Sequence, residues 1–164
     1  MQYRYSSFTY TGTEGMPGQY WNFLNSTLGI GYRLNNNIRF YYSIGQTHRE
    51  PTRNDLLMGN DDLMRDGSGE LLFNPVKAER VIDQELGAKY ITRSVYVSAN
   101  LYYMRFRNEI TLNGQIGPTG VPLHSSAALS YRSGAELDAV WRLPNGIEFR
   151  NQSSVSMNRI KEGA

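Results

Sequence analysis

Apolar and polar residues alternate with period two along most of this chain, and this pattern constrains the fold more than any other feature. Successive side chains of a strand lie on opposite faces, so the pattern predicts strands with one apolar and one polar face. It is clearest at 127–143. There the apolar face carries Leu129, Tyr131, Ala135, Leu137, Ala139, Trp141 and Leu143, and the polar face carries Ser130, Arg132, Gly134, Glu136, Asp138 and Arg142.

The same alternation recurs in six further segments. The predicted strands are 2–11, 20–34, 38–47, 84–92, 95–107, 127–143 and 147–159. Aromatic residues stand on both faces of 95–107, which predicts a bulge near its far end. The fold class is therefore all-β, an antiparallel up-and-down meander of about seven strands.

The connections between these strands alternate between long and short. The long ones are 12–19, 48–83 and 112–125, and the short ones are 35–37, 92–94 and 144–146. Long and short connections therefore fall at opposite ends of the sheet. Outer-membrane barrels show this asymmetry, with short periplasmic turns and longer outside loops. The pattern predicts a section of a transmembrane β-barrel in which 48–83 is a long extracellular loop.

The charges on the predicted polar face favour the same fold. Arg132, Glu136, Asp138 and Arg142 stand in one row of a single strand. An unpaired buried charge costs several kcal/mol or more, so a dry sandwich core would not hold them. The predicted strands are about 10 to 17 residues long, whereas ordinary strands have about 5 or 6 and spanning strands need about 9–11. The chain has no stretch of about 18 apolar residues, so no transmembrane helix is predicted.

The long connection at 48–83 contains one local helix signal. Thr52 is a good N-cap for a helical turn over 53–57, and Asp55 stands at the third helical position, as in a capping box. An alternative is a longer helix over 76–86, whose residues suit a helix.

Composition and motifs argue against catalysis and against resident cofactors. The chain has no cysteine, which excludes disulfides, thiolate metal sites and a cysteine nucleophile, and its net charge of +2 predicts no nucleic-acid partner. His124 stands beside Ser125 and Ser126, but no nucleophile elbow surrounds them. A calcium loop starting at Asp62 would place Met64 where a ligand is needed. We therefore expect no enzyme activity, no cofactor and no metal site.

Four motifs in a fixed order add a resemblance to this interpretation. They are Arg49-Glu50-Pro51 with Asp55-Leu56; Asn74-Pro75 with Lys77, Glu79 and Glu85-Leu86-Gly87; Glu109-Ile110; and Gly134-Ala135-Glu136-Leu137. In this order the chain resembles the barrel half of TonB-dependent outer-membrane receptors. The resemblance implies a place in the bacterial outer membrane.

The resemblance also implies what the whole protein does. Residues 1–164 would be an internal fragment of a barrel of about 22 strands, without the family's plug or final strands. Such a receptor imports a scarce solute, namely a metal chelate such as a siderophore, cobalamin or an oligosaccharide. Its partners would be outer-membrane lipid, the small solute, and the inner-membrane TonB energy-coupling complex, which acts through the plug.

Polar residues of the predicted outside loop are the candidate ligand contacts. They are His48, Arg49, Asn54, Asp55, Asn60, Asp61 and Arg65. Two alternatives stay open at this point. One is the barrel of a passive or secretory outer-membrane protein, and the other is a soluble β-sandwich that binds glycans.

Overall fold

The computed structural model describes residues 1–11, 18–60, 62–74, 76–117 and 119–161. These residues form nine strands and one helical turn. In chain order they are β1 Gln2–Phe8, β2 Gln19–Arg33, β3 Ile38–Arg49, α1 Arg53–Leu56, β4 Met64–Arg65, β5 Leu71–Leu72, β6 Glu79–Ile91, β7 Val95–Ile116, β8 Pro122–Arg142 and β9 Glu148–Lys161. The loop predicted at 12–19 lies mostly outside the described residues.

Seven strands form one sheet in the order β1-β2-β3-β6-β7-β8-β9, and every neighbouring pair is antiparallel. The strands therefore follow one another in chain order, which confirms the predicted all-β, up-and-down meander. The helix considered for 76–86 is wrong, because β6 pairs with β3 from Tyr90↔Ile38 to Glu79↔Arg49. Pairing along this whole edge outweighs the weak local preference of these residues for a helix.

Two of the predicted connections are shorter in the structure. β3 continues to Arg49 and β6 begins at Glu79, so the long connection is 50–78. The loop predicted at 112–125 is wrong, since only 117–121 join β7 to β8. A register shift between Leu112 and Ile116 accommodates Gly114, whose φ is +80°, within the strand.

The bulge predicted within 95–107 is displaced toward the far end of β7. β7 pairs with β6 without interruption as far as Arg107, and the next residue, Asn108, has a φ of +52°. Beyond it Glu109 is buried and accepts hydrogen bonds from Ser130 and Arg132, which lie on the polar face. The left-handed Asn108 therefore turns Glu109 to the polar face, which regular alternation would not do.

The two faces of the sheet match the predicted alternation. The apolar face is open, and its exposed members include Leu28, Ile30, Tyr42, Leu86, Leu101, Tyr103, Leu137, Trp141, Phe149 and Val155. No second sheet covers this face within the described ranges, which contradicts the β-sandwich alternative. The same ranges contain no helix long and apolar enough to cross a membrane.

The buried hydrophobic residues lie mainly at one end of the sheet. This is the long-loop end, where β1 joins β2, β3 joins β6 and β7 joins β8; the opposite end is the short-turn end. Within 50–78, Leu57 and Leu63 are buried and pack with Phe8, Tyr10, Leu71 and Phe73. The long connection therefore has a small core of its own and is anchored on the end of β1.

Candidate functional site at the long-loop end

The β7–β8 hairpin carries the site. Its strands have 22 and 21 residues, about twice the 9–11 that a spanning strand needs, so the hairpin extends well past its neighbours. The segment 50–78 packs against this extension. Thr119 Oγ1 donates a hydrogen bond of 2.5 Å to the carbonyl oxygen of Gly59. Gly59 has a φ of +73°, which favours glycine, and a Cβ there would also come within 2.8 Å of Leu123 Cδ2.

The helical turn α1 orients the polar residues that face the hairpin. Thr52 and Asp55 form the predicted capping box, in which the Asp55 amide donates to Thr52 Oγ1 and Asp55 Oδ2 accepts from the Thr52 amide. The Asn74 amide donates to the Leu56 carbonyl oxygen at 3.0 Å, which fixes the returning chain beside α1. The box and this bond hold Asp55 against β8.

Between α1 and the hairpin lies a cleft of about 150 Å³. Its lining is mostly polar: Asn54, Asp55, Met58, Asn74, Asn113, Gln115, Leu123, His124 and Ser125. Amide, carboxylate, imidazole and hydroxyl groups therefore converge on one small volume. Such a set offers hydrogen-bond donors and acceptors to a polar solute.

The carboxylate of Asp55 is shared between the cap and the cleft. The Asp55 side chain is buried, and its Oδ2 accepts 2.8 Å hydrogen bonds from both the amide and the hydroxyl of Thr52. Its Oδ1 lies 2.9 Å from Nδ1 of His124, but no hydrogen bond to this oxygen has acceptable geometry. One oxygen is therefore fixed by structure, and the other faces an imidazole across the cleft.

Two of the seven predicted ligand residues, Asn54 and Asp55, line this cleft. His48 instead belongs to the β2–β3 contact, where its ring stacks on Phe23 with centroids 5.3 Å apart and its Nδ1 lies 3.0 Å from Asn25 Oδ1. Arg49 forms an ion pair of 3.3 Å with Glu79. These partners fix His48 and Arg49 within the sheet end rather than in the cleft.

The remaining predicted residues make local contacts or lie outside the described residues. Asn60 is buried, and its side-chain amide donates to the Leu57 carbonyl oxygen at 3.1 Å. Arg65 is exposed and donates to the Gly69 carbonyl oxygen at 2.6 Å. Asp61 lies outside the described residues.

Sequence reasoning missed the hairpin side of the cleft. Asn113, Gln115 and His124 lie within the predicted loop 112–125, and the sequence suggests His124 only as a catalytic candidate. They line the cleft because β7 and β8 extend beyond the other strands. The sequence gives little local signal for this extension, because 122–126 read Pro-Leu-His-Ser-Ser, without clear alternation.

Comparison with known proteins gives the family. A family model described as "TonB dependent receptor-like, beta-barrel" matches residues 2–161. The pesticin receptor of Yersinia enterocolitica is 29% identical over 119 residues, which are 73% of this chain and 16% of that protein. The chain thus spans about a sixth of the length of the curated relative.

Solved structures with similar folds include three metal or metal-chelate transporters. The copper transporter OprC aligns with a TM-score of 0.72 at 14% identity, over 92% of this chain and 23% of that one. The FrpB iron transporter of Neisseria meningitidis (F5-1 variant) aligns with a TM-score of 0.69 at 20% identity, over 96% of this chain and 23% of that one. The ferric yersiniabactin uptake receptor FyuA of Yersinia pestis aligns with a TM-score of 0.62 at 20% identity, over 88% of this chain and 20% of that one.

These structural similarities establish the shared fold, and the family match covers nearly the whole chain. The family also separates this chain from the passive or secretory barrels that the alternation alone left open. The chain belongs to the TonB-dependent receptors as part of their β-barrel, and it is a protein of the bacterial outer membrane.

Proposed function

We propose that this chain forms part of the barrel wall of an energy-coupled importer and that its long connection contacts the imported solute from outside. The observation that carries the proposal is the polar cleft between Asp55 and His124, built on a hairpin that extends beyond the spanning part of the sheet. In this proposal residues 1–164 are a partial barrel, and 50–78 is its extracellular loop.

The spacing of aromatic residues supports a membrane-facing apolar side. Tyr103 stacks on Tyr131 with ring centroids 6.2 Å apart, and Trp141 contacts Phe149 at 6.2 Å. Tyr131 and Trp141 are ten residues apart in β8, which is about 34 Å along the strand. At a strand tilt of about 45°, this corresponds to about 24 Å along the membrane normal. Outer-membrane barrels carry an apolar band of about 25 Å between two aromatic girdles. The two pairs fit such girdles, so outer-membrane lipid is the proposed partner of this face.

The solute we propose is a metal chelate. The similar proteins are named as a copper transporter, an iron transporter and a ferric yersiniabactin uptake receptor. The cleft offers the neutral amides of Asn54 and Asn113 around one carboxylate, and these groups suit the hydroxyl and carbonyl groups of a chelating ligand. Cobalamin and an oligosaccharide are the other solute classes to test.

The energy source we propose is the inner-membrane TonB complex, acting through a plug inside the barrel. The polar face supplies the surface that such a plug would contact. Around a shallow depression of about 360 Å³ it presents Ser98, Asn100, Glu136, Asp138 and Gln152. A polar inner face of this kind is typical of such barrels.

Binding measurements on the intact receptor test the proposal. The ligands are ferric yersiniabactin, a copper(II) chelate, cobalamin and a maltodextrin, each titrated by fluorescence quenching. For the ligand that binds, we expect Asn113→Ala and His124→Ala to weaken binding by about tenfold each, about 1.4 kcal/mol. Ser154→Ala, a hydroxyl deletion on the polar face away from the cleft, is the control. Equal affinities for all three variants and the native protein would refute the cleft as the solute contact.

A further inference from the structure

Five cationic residues lie on the apolar face of the sheet at its long-loop end. The register places Arg80 opposite Arg107, Arg107 opposite Leu129, and Leu129 opposite Lys161. Two residues further along each strand, towards the apolar band of the proposed membrane span, Arg105 is opposite Tyr131, and Tyr131 is opposite Arg159. These five residues form what we call the basic stripe: Arg80, Arg105, Arg107, Arg159 and Lys161.

The basic stripe contains no compensating carboxylate in the described part of the chain. Like charges directly opposite each other on a sheet are destabilising, and Arg80 and Arg107 are such a pair. Arg80 donates to Gln46, a neutral partner, and its buried Nε has no hydrogen-bond partner. Glu79, the acidic residue next to Arg80 in the chain, pairs with Arg49 on the neighbouring strand.

A small cavity lies between these guanidinium groups. It has a volume of about 70 Å³ and is lined by Arg80, Ile82, Arg105 and Arg107. Guanidinium groups bind phosphate oxygens through paired, charge-assisted hydrogen bonds. An anion in this cavity would both neutralise the facing arginines and satisfy the buried Nε of Arg80.

The height of the basic stripe identifies the source of that anion. Arg105 and Arg107 stand two and four residues beyond Tyr103, which belongs to the proposed aromatic girdle. At about 3.4 Å per residue and a tilt of about 45°, they lie about 5 and 10 Å above the girdle. The headgroup layer on each side of a bilayer is about 5–7 Å thick. The stripe therefore begins at the level of the lipid headgroups.

We propose that the basic stripe binds phosphate groups of the lipid headgroups in the leaflet at the long-loop end. The inference rests on the membrane-facing side assigned in the proposed function, and it does not depend on which solute is imported. Binding of this kind would hold ordered anionic lipid against β6–β9 and fix the height of the barrel in the membrane.

Boundary-lipid selectivity of the intact receptor tests the proposal. The protein is reconstituted in phosphatidylcholine vesicles, and spin-labelled phosphatidic acid and phosphatidylcholine are compared by electron spin resonance. For Arg105→Gln/Arg107→Gln/Arg159→Gln we expect the preference for phosphatidic acid to fall by roughly fivefold per arginine removed. The matched control is Arg33→Gln/Arg39→Gln/Lys89→Gln, which removes three cross-strand cations from the polar face.

The outcomes separate this proposal from others. An unchanged preference in the stripe variant overturns it, and so does an equal loss in both variants. Competition by excess inorganic phosphate that removes the preference would show a free-anion site instead of lipid binding. Solute binding is measured on the same samples, so a failed importer assignment leaves the lipid result readable. A receptor that shows no boundary-lipid signal at all would refute the membrane-facing side itself.

Discussion

The ring of Tyr102 lies over Gly134, its cross-strand partner in the β7–β8 ladder. A Cβ at Gly134 would lie 2.6 Å from Tyr102 Cζ and 2.5 Å from the Val155 carbonyl oxygen. Tyr41 covers Gly87 in the same way on the β3–β6 ladder. Both pairs are on the polar face, where an aromatic residue breaks the alternation. The rings shield the backbone of glycine positions that would otherwise be bare, which explains why tyrosines interrupt this face.

We predict that Gly134→Ala destabilises the intact receptor by about 1–3 kcal/mol, because the new Cβ meets both a ring and a backbone carbonyl. The matched control is Gly31→Ala, also on the polar face, where the nearest atom to a new Cβ is 3.9 Å away. This control is expected to change stability by less than about 0.5 kcal/mol or to raise it slightly. Urea unfolding followed by tryptophan fluorescence measures both, and equal effects would contradict the steric account.

We predict that Leu137→Arg on the apolar face costs about 2–4 kcal/mol at the middle of the membrane band. Leu137 is 41% exposed in the structure and lies between the two proposed girdles of β8. Ser154→Arg, one strand away on the polar face, is the control and is expected to cost far less. Ser130 is unsuitable, because it is 2% exposed and donates a hydrogen bond to Glu109. Unfolding in lipid vesicles compares the variants, and matching costs would refute the assignment of faces.

We predict that Thr52→Ala loosens α1 and with it the polar cleft between α1 and the β7–β8 hairpin. The variant removes the hydroxyl that caps α1 and that also donates to Asp55 Oδ2, and losses of a cap are worth about 0.5–2 kcal/mol. Hydrogen exchange of the Leu56 and Leu57 amides, which bond back to Thr52 and Arg53, reports the change. Glu70→Gln, an exposed change elsewhere in the same connection, is the control. Unaltered exchange at Leu56 would count against the capping box.

We predict that the turn between β4 and β5 weakens below the ordinary pKa of aspartate. Hydrogen bonds from Ser68 and from the backbone amide of Glu70 lower the pKa of Asp66 from its usual 3.8. A lowered pKa means that the ionised form stabilises the turn. That stabilisation is complete above pH 3.8 and is lost as the pH falls through the lower folded-state pKa.

Exchange of the Ser68 and Glu70 amides against pH measures the loss in this turn. Both amides donate to Asp66 Oδ1 at 2.9 Å. Asp66→Asn keeps an acceptor oxygen but removes the titration, so its exchange should show no step of this kind. A step that persists in the variant would assign it to another group.

The alternation predicted the sheet well because it reports a property of every residue along a strand. The strands around Ile38–Arg49 and Pro122–Arg142, the short turns and the two faces all follow from it, and the capping box at Thr52 follows from a local motif. Strand ends were harder to predict. Gly114 and Pro122 suggested a loop. A register shift allows Gly114 within β7, and Pro122 stands at the first position of β8.

The sequence pointed to the loop side of the cleft but not to its hairpin side. Asp55 and Asn54 were identified as polar loop residues, whereas His124 joins them through a contact about 70 residues away in sequence. Such a contact depends on how far β8 extends, which local patterns do not specify. His48 and Arg49 lie away from this cleft, because Phe23, Asn25 and Glu79 hold them in the sheet.

The ladder between β7 and β8 runs from Val95↔Trp141 to Leu112↔His124 with one gap at Asn108, which makes this hairpin a stiff element that extends well past the neighbouring strands. Because Thr119 bonds to Gly59 and His124 faces Asp55 across the cleft, the 50–78 connection packs against this hairpin. Under the proposed function, closure over a captured solute would therefore come from parts of the receptor other than 50–78.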